Sequence, residues 1–296
     1  HRDLHLSLRR QRQMCIRDRS KISSLKPLVE EVLNKAEERE ETYVDRWLLS
    51  RMHRRIEEIT KALESLYTRT AIHKAFFDSL NDLKWYLRRV EVPHRSTVEE
   101  FIDIWIRLLS PFTPFISEEI NEHVGRYRFV SIAEWPRPDP DKIDYESELM
   151  EYSVIKLMED IKELLRVLKP KSPRVKVYFS SGWKNEFIRR AAAEIINKNE
   201  RGVFGLIRES WREVPISEKA KMAKLAIKHL RSLGEEVVFR LAKVKSLDEK
   251  TAVEMAKDFI KRELGLGELT LNLDVEAQDV EKAKYALTLR PTIIIE

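Results

Sequence analysis

The sequence predicts a mostly α protein, an antiparallel helix bundle followed by a small α/β C-terminal domain. Three observations carry that reading. Glycine is scarce, 7 of 296 residues, while charged residues make up 35%, a balance dominated by strong helix formers. Between Leu25 and Gly125 apolar residues recur at spacings of three and four, the period of an amphipathic helix. Beyond Pro173, short β-branched runs alternate with further helical stretches, as in an α/β unit.

Residues 1–20, HRDLHLSLRRQRQMCIRDRS, hold six Arg against two Asp and show no periodicity. They read either as a basic RNA-binding arm or as a disordered or non-native leader. The bundle is assigned to residues 21–145. Its first stripe is Leu25, Leu28, Val29, Val32, Leu33 and Ala36. A longer helix, from about Glu41 to Tyr67, carries Val44, Leu48, Met52, Ile56, Ile59, Leu63 and Leu66. The next, about Ala71–Val90, has Ile72, Phe76, Leu80, Leu83, Leu87 and Val90, and Pro93 closes that segment. Ser96 with Glu99 has the spacing of a capping box ahead of a stripe of Val98, Phe101, Ile102, Trp105, Leu108 and Leu109. Thr113-Pro114 reads as an N-cap followed by a first-turn proline, and Gly125 as the end of that short helix. Trp47, Trp85 and Trp105 are expected in the packing. Residues 126–145 are proline-rich and connect.

The C-terminal α/β domain is assigned to residues 146–296. A helix at about Glu146–Leu168 precedes a strand at Arg174–Ser180, where Val175, Val177 and Phe179 alternate with other residues. Helices follow at about Lys184–Asn199, Val203–Glu209, Ser217–Leu233 and Asp248–Leu264. Leu269–Leu273 and Thr292–Ile295 are the remaining strands.

Composition excludes several classes of function. With 43% apolar residues the chain is not wholly disordered. It holds no run of about 18 apolar residues to span a membrane. One cysteine, Cys15, excludes a disulfide framework and a Cys-based zinc site. With no secretory signal, the default location is cytoplasmic. Neither GxGxxG nor GxxxxGK[ST] occurs, so a self-contained nucleotide-binding domain is not expected. The seven histidines give no two-His metal face, and His53 and His73 fall on polar helix faces. The carboxylates are read as solvated, and the sequence shows no catalytic or metal site of its own.

The charge is unevenly placed. The net +5 of the chain hides 19 Lys and Arg against 9 Asp and Glu in residues 152–231, while residues 232–296 are net −3. Arg166, Lys169, Lys171, Arg174 and Lys176 form a run without acids, and Lys184, Arg189 and Arg190 follow. Such clustering suits a phosphate backbone, the alternative being a solvated basic face. In the bundle, Trp85, Arg88 and Arg89 combine an aromatic ring with cations. They suit base stacking and phosphate binding, or equally a helix C-terminus that favours cations.

Three strings in order resemble the anticodon-binding bundle of class I aminoacyl-tRNA synthetases for leucine, isoleucine and valine. They are Tyr43-Val-Asp-Arg-Trp-Leu-Leu-Ser-Arg51, Leu108-Leu-Ser-Pro-Phe-Thr-Pro-Phe-Ile-Ser-Glu-Glu119 and Ser131-Ile-Ala-Glu-Trp-Pro136. The helix Thr70-Ala-Ile-His-Lys-Ala-Phe-Phe-Asp-Ser-Leu-Asn-Asp-Leu-Lys-Trp-Tyr-Leu-Arg-Arg89 and the terminal Thr292-Ile-Ile-Ile-Glu296 resemble the archaeal and eukaryotic leucyl type. The resemblance covers about residues 25–296 and implies a C-terminal part of such an enzyme. The family's HIGH and KMSKS signatures are missing from this sequence. The resemblance therefore implies a chain that binds tRNA, namely tRNA(Leu) with the long variable arm of that tRNA, and forms no leucyl-adenylate alone. ATP and Mg would serve the full-length enzyme, with no cofactor in this chain. It further implies that the tail Ile293, Ile294, Ile295 and Glu296 lies nearest the bases. A strand-like tail offers backbone donors and acceptors, and Glu296 can accept from base amino groups, the alternative being a plain edge strand with a frayed end. The other functions to weigh are an isoleucyl or valyl synthetase and a stand-alone helical interaction module without an RNA role.

Overall fold

The structure, a computed structural model, describes residues 22–209, 216–276 and 281–296. The predicted leader lies outside the described residues. Two compact units divide after Asp144. Among the described residues no helix is long and apolar enough to cross a membrane.

Among the described residues, the named elements of the first unit are all helices. Helix α1 spans Leu25–Lys35, α2 Tyr43–Glu64, α3 Thr68–Ile72, α4 Ser79–Arg89, α5 Arg95–Leu109 and α6 Pro114–Val124. Leu48, Met52, Ile56 and Ile59 of α2 face Phe101, Ile102, Trp105 and Leu109 of α5, all at most 1% exposed. Burying such stripes is what holds short helices together in water. Helix α2 begins with a capping box in which Thr42 and Asp45 satisfy each other's backbone donors.

Several expectations are corrected here. Helix α2 ends at Glu64, and Leu66, assigned to its apolar stripe, is 83% exposed in a left-handed conformation. The single helix expected at Ala71–Val90 is interrupted by a π-helical turn, His73–Asp78. That wider turn shifts the phase, so Tyr86 is buried and Leu87 is only half-buried. Two carbonyls of this turn accept from side chains. The Trp105 indole donates to Ala75 O at 2.7 Å, and the Ser79 hydroxyl donates to Lys74 O at 3.0 Å. Ser96 is not a cap, because α5 already starts at Arg95 with His94 in the N-cap position. His53 is buried, not solvated. Its Nδ1 accepts from the Asp139 N–H at 3.1 Å and its Nε2 donates to Glu100 at 3.1 Å. Thr113, Pro114 and the left-handed Gly125 do bound α6 as predicted.

The second unit begins with α7, Tyr145–Leu168, which leads into β1, Arg174–Phe179. Then come α8 Gly182–Ile196, α9 Glu200–Glu209, α10 Ile216–Leu233, α11 Glu235–Lys243, α12 Glu249–Met255, α13 Lys257–Leu264, β2 Glu268–Leu273 and β3 Thr292–Ile295. Helix α11 was not foreseen. The expected Asp248–Leu264 helix is two helices, with Asp248 as the N-cap that accepts from Thr251 N–H. The sheet order is β2-β1-β3. β1 runs parallel to β2 and antiparallel to β3. Phe187, Ile188, Ala191, Leu230, Val238 and Leu241 centre a helical core beside it.

Candidate nucleic-acid interface

The strings that carry the family resemblance turn out to be scaffold. Asp45 is fully buried and accepts from Arg39 through both guanidinium arms at 2.7 Å. It also accepts from the Tyr86 phenol at 2.6 Å and from the Thr42 N–H and hydroxyl at 2.7 Å. Burial opposes its ionisation, but the Arg39, Tyr86 and Thr42 hydrogen bonds outweigh it and hold the carboxyl below the usual range. Burial first, and Asp45 second, push the Tyr86 phenol above its ordinary value. In the second string Glu118 accepts from the N–H groups of Val130 and Ser131, each at 3.0 Å. In the third, the Trp135 indole donates to Thr60 of α2 at 2.9 Å. These contacts fasten the bundle and its proline-rich end.

The predicted stacking group sits at the C-terminal end of α4. The Arg88 guanidinium lies 5.3 Å from the Trp85 ring centroid, and Arg89 donates to the Tyr43 hydroxyl at 2.8 Å. Trp85 is half-buried and Arg88 exposed. The ring is therefore already covered by its neighbouring cation on one face.

In the second unit the basic run divides. Arg166 closes α7, Lys169 turns the chain in a left-handed conformation (φ 48°), and Lys171 and Arg174 follow. All four side chains are exposed. Strand alternation places Arg174 and Lys176 on one face of β1, with Val175 and Val177 buried on the other. That face is less cationic than the sequence suggests. Arg174 stands in register with Glu268 of β2 and exchanges backbone hydrogen bonds with Glu296 at 3.1 and 2.9 Å. The Lys176 ammonium meets the Glu296 carboxylate at 2.6 Å, and that contact raises its pKa. A run without acids in sequence thus acquires acids from two neighbouring strands.

Three predicted contact residues are engaged elsewhere. Lys184 is buried, 2.5 Å from Asp274 and 2.7 Å from the Lys284 carbonyl, so it offers nothing to a phosphate. Arg189 is half-buried and donates to Val244 O at 2.9 Å. Arg190 is exposed, with Glu186 one turn away at 3.6 Å. Helix amphipathicity could have separated these, since Lys184 shares the buried face of α8 with Phe187, Ile188 and Ala191.

The tail is a true edge strand. Val175, Lys176, Val177 and Tyr178 pair with Ile295, Ile294, Ile293 and Thr292. Ile294 shares the face of Lys176, while Ile293 and Ile295 share the face of the buried valines. Unforeseen residues hold the turn before it. His229 Nε2 donates to Thr288 O at 2.7 Å, and the Thr288 hydroxyl donates to Asn185 at 2.7 Å. Glu249 accepts from the Leu289 N–H at 2.8 Å.

Residues 45–178 match the anticodon-binding domain of tRNA ligase, a stretch that runs from helix α2 into strand β1. The chain is similar to leucine–tRNA ligases of archaea, and the expected kinship with leucyl-tRNA synthetases is borne out. It is 37% identical over 268 residues to that of Pyrococcus abyssi and 36% over 258 residues to that of Pyrococcus horikoshii, in each case covering 86% of this chain and 25% of the relative. The enzyme of Methanothrix thermoacetophila is 35% identical over 261 residues, covering 88% of this chain and 27% of that protein. The chain thus spans about a quarter of the length of these relatives. Their shared name disfavours the isoleucyl and valyl alternative.

Proposed function

We propose that this chain is the tRNA-binding part of a leucine–tRNA ligase and holds tRNA(Leu) for ATP-dependent aminoacylation by a catalytic core that it does not carry. The observation that supports this most is the exposed cationic path of Arg166, Lys169, Lys171 and Arg174, which leads to the edge strand β3 in a relative of leucine–tRNA ligases. Phosphate contacts along the path fix the position of the tRNA and carry little sequence information. Discrimination falls to Ile293–Glu296, whose outer strand edge offers backbone groups to the long variable arm. Trp85 and Arg88 contribute a second, weaker contact in the bundle. ATP and Mg belong to the missing core, and the chain alone catalyses no leucine-dependent ATP–pyrophosphate exchange.

Titration with tRNA over a range of salt tests this reading. Each phosphate contact contributes roughly 0.7–0.9 to the slope of log K against log salt. Replacing Lys169, Lys171 and Arg174 together by Glu is expected to lower that slope by about 2–3 without loss of helix signal, since all three are exposed. An unchanged slope would remove this face from the interface.

A further inference from the structure

The segment between the 3-10 turn Glu281–Tyr285 and β3 is held in an unusual way. Polar side chains from three different helices converge on it. Lys184 of α8 reaches the Lys284 carbonyl. Asn185, next to it, accepts from Thr288, His229 of α10 donates to the Thr288 carbonyl, and Glu249 of α12 accepts from the Leu289 N–H. His229, Glu249 and Thr288 are each at most 3% exposed. Leu289 is held at φ 61°, a conformation that costs a side-chain-bearing residue about 1 kcal/mol or more. Leu287 and Arg290 close the turn with reciprocal backbone bonds at 3.0 and 2.9 Å.

Burying a carboxyl and an imidazole without an opposite charge is expensive, and apolar side chains would fill the same space at lower cost. Burial pushes the Glu249 carboxyl up to about 8 and lowers the His229 imidazole, so each favours its neutral form. What these groups provide and apolar ones cannot is direction. They fix a strained backbone turn two residues before the tail.

We propose that Glu249 and His229 are positioning residues for the tRNA contact of Ile293–Glu296, which they orient by clamping the turn at residues 287–290. This rests on the reading, given above, that the tail meets tRNA. Without the clamp, β3 keeps its pairing with β1 and the bond from the Thr292 hydroxyl to the Lys282 carbonyl at 3.3 Å, but the turn that leads into it is no longer held.

The test uses the full chain and two readouts, hydrogen exchange of the peptide covering residues 286–296 and affinity for tRNAs with long and short variable arms. Glu249→Leu is expected to raise exchange in that peptide and to reduce the long-arm preference by about tenfold, the value of one lost buried hydrogen bond. Affinity for short-arm tRNA stays unchanged. Glu249→Gln keeps an acceptor for the Leu289 N–H and is expected to restore both readouts. Thr288→Val removes only one hydroxyl and should give a smaller change in the same direction, which carries the test if Glu249→Leu does not fold. Faster exchange with an undiminished preference would overturn the positioning role, as would unchanged exchange. Deletion of residues 293–296 is measured alongside. If the deletion itself leaves the preference intact, the tail reading fails and the clamp's role in recognition falls with it. If the deletion abolishes the preference and the turn variants do not, the clamp alone is refuted.

Discussion

Asp45 keeps its charge at zero exposure because every lone pair is used, and two of the partners belong to one rigid guanidinium fork. Removing one member of such a pair strands the other. Asp45→Ala is therefore expected to destabilise the bundle by about 3–5 kcal/mol, seen as a fall in thermal midpoint. Glu249 titrates with the opposite logic. Its folded pKa, about 8, lies above its ordinary 4.5. Its contribution to stability is complete below about pH 4.5 and is lost as pH rises towards 8. His229 is lowered from 6.5 by burial, with Arg290 adding to the effect. Its contribution is present above pH 6.5 and is lost as pH falls through the lower folded value. Glu249→Gln should consequently flatten the decline between pH 5 and 8 and gain at least about 1 kcal/mol at pH 8. A variant with the slope of the parent protein would show that Glu249 is not the group responsible. The identities of these residues were plain in the sequence, but their burial was not. Glu249 looked like one more helix-surface acid, because the segment that covers it lies 40 residues further on.

Among the elements, the stripes of α2 and α5 were legible because nothing interrupts their period. The helix that contains the π turn was not, since spacings of four at Ile72, Phe76 and Leu80 suit both a regular helix and a widened one. What decides is Trp105, whose indole needs an acceptor and takes Ala75 O. Trp105→Phe keeps the packing and leaves that carbonyl unsatisfied, at a cost of about 1–3 kcal/mol measurable by denaturant unfolding. Helix α11 escaped notice because Gly234, with φ 82°, reads as the end of α10 and conceals a new start one residue later. The three strands were each readable, but their order was not. Register came from tertiary packing, and only register reveals that Glu268 and Glu296 flank the cations of β1. The basic path was thus half legible. Arg166, Lys169, Lys171 and Arg174 stay exposed, while the structure commits Lys184, Arg189 and Lys176 to internal partners.

For the molecule as a whole, the net charge of +5 is a poor guide to binding, since residues 1–20 alone supply +4. Removing them should leave the salt slope for tRNA within about one unit of the original if residues 166–174 carry the contact. A collapse of affinity would assign binding to that basic segment. The sheet has a further consequence, in time and not in space. Helices in the bundle satisfy themselves from neighbours a few residues away. Strand β1 must wait for partners far along the chain, and Lys176 meets Glu296 across 120 residues. Loop closure of that length is slow relative to helix formation. Refolding should accordingly show a fast helical phase and a later one reported by the tail, with Val175, Val177 and Phe179 uncovered in the interval. That interval is when the chain is most prone to aggregate, and conditions that shorten it should raise the yield of folded protein.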